Sequence, residues 1–187
     1  MFYNDKSFCL SNQIIIITLV SFILVNCSNE KAIKDKIETM QSMPINIPVS
    51  ELMYIAKNKS TNSDIYTSSY PFRMIIFFSA NECSPCALSM LPKWNEFLKF
   101  EDEKKVKFIF IFDSKKSDIL YSYHSSIFEH PIMVDTCGVF SKKNPQIPKE
   151  SMFHTFMLDS IGNVIMVGSP LENNKIRILF EKMINQE

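Results

Sequence analysis

The sequence predicts an α/β domain with a central mixed sheet, in which a parallel βαβ unit is followed by a C-terminal antiparallel hairpin and a helix. Two apolar runs rich in strand-forming residues, 73–79 and 106–112, flank a stretch whose apolar residues recur at helical spacing. Near the C-terminus, Gly162 and Asn163 lie between two further strand-like runs and are typical residues of a hairpin turn. A strand, a helix and a strand in this order favour a parallel pair joined by a right-handed crossover.

The chain is long enough for one domain with an extension, and its composition excludes several classes of function. It has 187 residues, of which 46% are hydrophobic, so it has enough apolar surface for a packed core. The 20 Lys and Arg residues balance 20 Asp and Glu residues, which leaves no excess positive charge for nucleic-acid phosphates. Only 3 residues are Gly, which disfavours a Gly-rich nucleotide-binding loop. We therefore expect neither a nucleic-acid partner nor a bound nucleotide.

An apolar segment near the N-terminus is typical of a signal peptide. Residues 14–25 read IIIITLVSFILV, a run that is uncharged and shorter than the roughly 20 residues needed to span a bilayer. The segment ends in LVNC, which resembles a bacterial lipobox, and this resemblance implies that residues 1–26 are removed and that Cys27 carries a lipid. The match departs from the usual pattern at Asn26, where a small residue is expected. An uncleaved signal anchor or a buried strand is the alternative interpretation.

A lipid on Cys27 would bind the protein to a membrane of the bacterial cell envelope, with the rest of the chain facing the periplasm or the cell surface. Residues 27–46 are polar and poor in aromatic residues, which predicts a tether between the membrane and the domain. The IKDKIETM portion of this tether has the spacing of a short amphipathic helix. The globular domain is expected over residues 47–187.

The remaining elements follow from local patterns. The runs 73–79 and 106–112 are apolar in most positions, as expected for strands that are covered on both faces. The apolar residues of the intervening helix are Leu88, Leu91, Trp94 and Leu98. Pro92 lies within this helix and should kink it. The later elements are a helix within residues 115–128, a strand at 132–134, the hairpin HTFMLD-SIGN-VIMVG and a closing helix at 172–185.

Cys83-Ser84-Pro85-Cys86 is the motif with the most specific chemistry, because it lies where the first strand meets the helix. The partial positive charge of a helix N-terminus favours a thiolate on Cys83, and Cys86 is close enough in the chain to close a disulfide. A zinc site needs two more ligands, and the remaining Cys and His residues have no metal-binding spacing. We therefore expect no metal and no cofactor. An inert structural disulfide is the alternative, which the strain of so small a ring disfavours.

The chain resembles the thioredoxin superfamily over residues 71–187, and more narrowly the membrane-tethered thioredoxin-like redoxin lipoproteins of the bacterial envelope. The segments IIFFSANECSPC, VKFIFIF and FHTFMLDSIGNVIMVG carry this resemblance. It implies a thioredoxin-like fold and a thiol–disulfide oxidoreductase, with Cys83 as the nucleophile and Cys86 as the resolving thiol. Tethered relatives are mostly reductants, so reduction of protein disulfides with an electron donor of unspecified identity is the favoured direction.

Three residues depart from the pattern of this superfamily. Glu82 replaces a common Trp, and its negative charge should oppose a thiolate on Cys83. Phe77 replaces a carboxylate that often takes up the proton of the resolving thiol. Phe153 stands where the superfamily has a cis-proline, so we expect a trans peptide bond there and a rebuilt substrate groove. We assign Glu82, Phe153 and His154 to this groove.

His154 has two interpretations in the sequence. It could turn toward Cys83, where an imidazolium would stabilise the thiolate and offset Glu82, or it could be an ordinary strand residue that points elsewhere. Two alternative functions also stay open. A copper-binding chaperone of the same fold would use Cys83, Cys86 and His154 as ligands. A non-catalytic adaptor would keep the scaffold and bind a partner protein without turnover. A peroxiredoxin is disfavoured, because no Thr precedes Cys83 at the usual spacing.

Two further features carry no predicted chemistry. The mixed-charge segment EDEKKVK, residues 101–107, predicts a solvated surface at the end of a helix. Cys137 is predicted to be buried near the edge of the sheet, where it would act as a small hydrophobic residue.

Overall fold

A computed structural model of the protein describes residues 30–57, 70–82 and 84–185. The predicted signal peptide, the lipid site at Cys27 and the nucleophile Cys83 lie outside these residues. The chain divides into two units, Met1–Glu38 and Thr39–Glu187. In its described part the first unit is helical and contains an exposed Lys34–Glu38 ion pair of 3.6 Å.

The described residues form six helices and six strands. Residues 30–41 form helix α1. The other helices are α2 (Ser84–Met90), α3 (Asn95–Asp102), α4 (Lys116–Ser125), α5 (Val139–Lys143) and α6 (Asn174–Ile184). The strands are β1 (Met53–Ile55), β2 (Phe72–Phe78), β3 (Val106–Asp113), β4 (Ile132–Asp135), β5 (Thr155–Leu158) and β6 (Val164–Val167). Short 3₁₀ turns cover Val49–Glu51, Leu91–Trp94 and Ser151–Phe153. In the described part of the chain, no helix is long and apolar enough to cross a membrane.

The strands form one mixed sheet in the order β1-β4-β3-β2-β5-β6. Strands β2, β3 and β4 are parallel, whereas β1 pairs antiparallel with β4, and β5 pairs antiparallel with both β2 and β6. This arrangement confirms the predicted α/β fold, with its βαβ unit and its C-terminal hairpin and helix. It also places β2 between β3 and β5, near the centre of the sheet.

The helix predicted after β2 is divided into three pieces. Helix α2 ends at Met90, Pro92 lies in the following 3₁₀ turn, and α3 begins at Asn95. Proline has no N–H to donate in a helix interior, which explains the interruption. The apolar face is still continuous, because Leu88, Leu91 and Trp94 are all buried.

Aromatic rings dominate the core on this face of the sheet. Trp94 contacts Phe97 and Phe108, with ring centroids 5.6 and 6.0 Å apart. Phe97 in turn contacts Phe180 of α6 at 5.7 Å. Pairs of this kind add to the free energy gained by burying apolar area. They hold α3 and α6 against β3.

Burial begins within the segment that the sequence analysis assigned to a tether. Met40 is fully buried and Ile45 is nearly so, and the Ile45 N–H donates to the Gly162 carbonyl at 2.9 Å. The side chain of Gln41 donates to the Val164 carbonyl at 3.1 Å. Residues 40–45 therefore lie against the β5–β6 hairpin.

Glu101 corrects the prediction that residues 101–107 form a solvated surface. Its carboxylate contacts His130 Nε2 at 3.1 Å and Lys107 Nζ at 2.6 Å, and it accepts the Phe108 N–H at 2.8 Å. Burial alone would raise the pKa of Glu101, but His130 and Lys107 lower it to about 2. The group thus joins the end of α3 to β3, and the sequence could not show this because His130 lies 29 residues away.

Replacement of Glu101 should reveal how much its contacts with His130 and Lys107 contribute to the free energy of unfolding. The change in pKa from 4.5 to about 2, at about 1.4 kcal/mol for each pKa unit, amounts to about 3 kcal/mol. Because the folded-state pKa is depressed, this stability is present above pH 4.5 and is lost as the pH falls toward 2. Urea unfolding of Glu101→Gln at pH 7 should therefore show a loss of about 3 kcal/mol that shrinks at pH 3.

Glu103→Gln is the matched control for this prediction. Glu103 forms a solvent-exposed pair with Lys105 at 3.0 Å, and such pairs contribute less than about 1 kcal/mol. A loss that is equal for both variants, or that does not depend on pH, would contradict the role assigned to Glu101.

Candidate active site

The candidate site lies at the carboxyl end of β2, where the chain turns into α2. Residues 79–82 form a turn closed by the Glu82 N–H, which donates to the Ser79 carbonyl at 2.9 Å. Cys86 then lies in the first turn of α2. In sheets with adjacent parallel strands, ligands bind in the crevice outside the carboxyl ends of those strands. The topology therefore presents Cys86 at the edge of the sheet where chemistry is expected.

Cys86 is exposed and disulfide-bonded. Cys137, the other cysteine among the described residues, is free. The partner of Cys86 therefore lies outside the described residues, as does Cys83. An exposed disulfide in the first turn of a helix is accessible to an attacking thiolate.

A cavity of about 330 Å³ lies beside Cys86, and we call it the Cys86 cavity. Its apolar lining is provided by Ile76, Phe78, Ala87, Met90, Trp94 and Leu171. Its polar lining is provided by Glu82, Thr155, Ser169 and Glu172. The cavity can thus hold an apolar group next to the sulfur of Cys86.

Glu82 and His154 form a direct pair at this site. His154 Nδ1 lies 2.8 Å from Glu82 Oε1, and His154 Nε2 lies 3.0 Å from the Pro148 carbonyl oxygen. Ser79 donates to the same Glu82 oxygen from its N–H at 3.2 Å and from its hydroxyl at 3.1 Å. The His154 carbonyl accepts the Phe77 N–H at 2.9 Å. These contacts join the segment before β5 to the turn before the CxxC motif.

The hydrogen bonds of His154 define its protonation. A carbonyl oxygen only accepts, so Nε2 carries a proton that it donates to Pro148. A second proton lies between Nδ1 and the Glu82 carboxyl group. Burial alone would raise the pKa of Glu82, but the hydrogen bonds from His154 and Ser79 hold it below its ordinary value. With one proton on Nε2 and one in the contact between Nδ1 and Glu82, the pair has no net charge.

The structure brings together only some of the predicted groove residues. Glu82 and His154 are in contact, whereas the Phe153 ring is buried in a 3₁₀ turn and lines neither cavity described here. No cis peptide bond occurs among the described residues, in line with the absence of proline at this position. His154 is not a strand residue, because it precedes β5, and its buried ring faces Glu82.

A second cavity, of about 390 Å³, lies against His154 on the carboxyl side of β2 and β3. We call it the Asp113 cavity, and its polar lining includes Ser79, Asn81, Asp113, Asn144 and Lys149. Burial and the neighbouring charge of Asp135 raise the pKa of Asp113, and Lys142 offsets this only in part. Asp113 and Asp135 were not predicted as site residues from the sequence, although each ends a buried strand.

Cys137 is exposed, which corrects the prediction that it is buried. The chain leaves the sheet after β4, and the Asp135 carboxylate accepts the N–H groups of Cys137 at 3.1 Å and Phe140 at 2.7 Å. This turn directs the chain into α5 and leaves the Cys137 thiol outside the core.

The copper alternative receives no support from the described residues. Both ring nitrogens of His154 are hydrogen-bonded, so neither has a free lone pair for a metal. Within the described ranges, no three Cys, His, Asp or Glu side chains are grouped so that they could hold a metal ion.

Comparison with known proteins supports the fold. Neither a family model nor a curated protein sequence matches the chain. Its fold is similar to that of the bacterioferritin comigratory protein of Xanthomonas campestris, with a TM-score of 0.51 and 13% identity over 78% of this chain and 99% of that chain. Peroxiredoxin Q of Xanthomonas campestris has a TM-score of 0.50 and 14% identity over 75% of this chain and 96% of that chain. The thioredoxin domain of a Bacteroides vulgatus thiol-disulfide oxidoreductase has a TM-score of 0.48 and 13% identity over 71% of this chain and 94% of that chain.

The similarities to the two Xanthomonas campestris proteins and the sheet topology define the fold of the protein. The chain has a thioredoxin-like fold, as its sequence motifs predict. At 13–14% identity the similarity establishes the fold, and the chemistry has to be argued from the site itself.

Alkylation should distinguish the two described cysteines. In the protein as isolated, iodoacetamide should modify the exposed free thiol of Cys137 and leave Cys86 unmodified. After treatment with dithiothreitol, Cys86 should also be modified. Mass spectrometry of the peptides that contain each residue measures both outcomes, and Cys137→Ser is the control for assignment. Modification of Cys86 without reductant would contradict the disulfide.

Proposed function

We propose that the protein is a thiol–disulfide oxidoreductase of the bacterial envelope that reduces disulfides of partner proteins through Cys83 and Cys86. The observation that carries this proposal is the exposed, disulfide-bonded Cys86 in the first turn of α2, at the carboxyl end of the central strand β2. The CxxC spacing supplies Cys83 as its redox partner. The thioredoxin-like fold supports the same assignment.

The proposed reaction transfers two electrons from the enzyme dithiol to the substrate. The Cys83 thiolate attacks one sulfur of a substrate disulfide, which forms a mixed disulfide and releases the other sulfur as a thiolate that takes up a proton. The Cys86 thiol then loses a proton and attacks Cys83, which closes the enzyme disulfide and releases the second substrate thiol. An external dithiol donor restores the enzyme by the reverse exchange.

The environment of the site fits this chemistry. The helix N-terminus favours a thiolate at the start of α2. The Cys86 cavity provides an apolar surface for residues that flank a substrate cysteine. Phe77 is buried and contacts the Phe140 and His154 rings at 5.0 and 5.1 Å, so the strand beneath the motif offers no carboxylate as a proton acceptor. Solvent at the exposed Cys86 serves this role in the proposed mechanism.

The envelope location is part of the proposal and rests on the sequence. The features that support it are the predicted signal peptide 1–26, the predicted lipid on Cys27 and the segment that follows Cys27. Mass spectrometry of the membrane-extracted protein tests it directly. A mature N-terminus at Cys27 with a lipid adduct is the expected result, and an intact Met1 or an unmodified Cys27 would contradict it.

Reduction of insulin disulfides by the full-length protein in detergent, with dithiothreitol as the donor, should test the proposed activity. We expect Cys83→Ser and Cys86→Ser each to lower the rate of insulin reduction by roughly 100-fold or more once the uncatalysed rate is subtracted. Each variant removes one sulfur of the dithiol–disulfide couple. Cys86→Ser should in addition accumulate a mixed disulfide with insulin. Cys137→Ser is the matched control and should retain the wild-type rate.

The same preparation separates the alternatives. A Cys83→Ser variant that retains its rate would contradict the proposed nucleophile. Stable binding of a partner protein that survives in Cys83→Ser and Cys86→Ser, with no turnover in the wild type, would instead assign an adaptor. Consumption of cumene hydroperoxide in place of insulin disulfide would assign a peroxidase.

A further inference from the structure

Glu82 is the titratable residue nearest in sequence to the proposed nucleophile, and it contacts His154. Glu82 directly precedes Cys83 in the chain. His154 lies 72 residues after Glu82 and directly precedes β5, the strand that pairs antiparallel with β2. A carboxylate next to a nucleophilic thiol opposes the thiolate by charge repulsion. The fold provides an imidazole ring in contact with that carboxylate, and this inference rests on the proposed function.

We propose that His154 acts as a positioning and charge-neutralising residue, which pairs with Glu82 and so prevents it from opposing thiolate formation at Cys83. The role is indirect, because His154 acts through Glu82.

The geometry restricts the pair to a neutral total charge. With Nε2 donating to the Pro148 carbonyl at 3.0 Å, a neutral ring would present the lone pair of Nδ1 to the Glu82 oxygen 2.8 Å away. Two lone pairs at that distance repel, so a proton has to lie between them. Whichever of the two atoms holds that proton, the pair carries no net charge.

The surroundings keep the pair in place. The His154 ring is buried against the Phe77 ring, and both hydrogen bonds from Ser79 fix the same carboxylate oxygen. The charged groups nearby line the cavities on either side, Glu172 in the Cys86 cavity and Asp113 and Lys149 in the Asp113 cavity. No other ion pair of Glu82 is found within the described ranges.

A double-mutant cycle on the thiol pKa of Cys83 tests this proposal. The full-length protein carries Cys86→Ser and Cys137→Ser, and the pH dependence of iodoacetamide modification of the Cys83 peptide gives the pKa. His154→Gln should raise this pKa by about one unit, because it leaves the Glu82 carboxylate uncompensated. Glu82→Gln should leave it within about 0.3 unit, since a neutral side chain replaces a neutral pair. The double variant should return to the wild-type value.

The cycle distinguishes the competing explanations. If His154 stabilised the thiolate directly, the double variant would keep the raised pKa. If Glu82 were uncompensated in the native protein, Glu82→Gln would lower the pKa and His154→Gln would have no effect. Either result would overturn the proposal. His124→Gln, which removes an exposed imidazole on α4, is the control and should change nothing.

A measurement on the wild-type protein keeps the proposal falsifiable even if His154→Gln does not fold. Nitrogen and carboxyl-carbon NMR at pH 7 should show two protons in the pair, one on His154 Nε2 and one in the contact between Nδ1 and Glu82, and Glu82→Gln should remove the second. A singly protonated His154 ring beside an ionised Glu82 carboxylate would overturn the proposal. Insulin reduction by the wild-type protein, Cys83→Ser and Cys86→Ser reports separately on the proposed function, because a failed charge pair leaves the dependence on Cys83 and Cys86 intact.

Discussion

The burial of β2 on both faces is the constraint on which the site depends. Pairing with β3 on one side and β5 on the other places β2 inside the sheet, and residues 74–77 are all buried. A charge at a buried position of this strand would lose its hydration, and Phe77 leaves its position apolar. The polar side chains of the site are therefore found beyond the strand, in the turn that ends at Glu82.

The contact between β2 and β5 brings His154 to that turn. The two strands pair from Arg73 with Leu158 to Ile76 with Thr155, so the residue before β5 lies beside the carboxyl end of β2. The hydrogen bond from the Phe77 N–H to the His154 carbonyl extends this pairing by one step. The backbone ladder thus positions the imidazole, and the Pro148 carbonyl orients its ring. Sheet register thus brings the His154 ring to the carboxylate that precedes the CxxC motif.

Local patterns in the sequence were sufficient for the elements that carry the site. Strands β2 and β3 are apolar in most positions, and Gly162 adopts the positive φ of 101° that the hairpin turn requires. The contacts that depend on distant residues were not predictable in this way. The Glu101–His130 pair and the burial of Met40 depend on segments whose proximity is known only once the strand order is known. The resemblance placed Glu82 and His154 in one groove, but it did not show their direct contact.

The central claim is that Cys83 and Cys86 form a reversible dithiol–disulfide couple, and a redox titration of the full-length protein in glutathione buffers tests it most directly. The account predicts one two-electron transition, at a potential below about −200 mV for a reductant. This transition should be absent in Cys83→Ser and in Cys86→Ser and unchanged in Cys137→Ser. A protein with no such transition, or one whose transition persists in Cys83→Ser, would contradict the account.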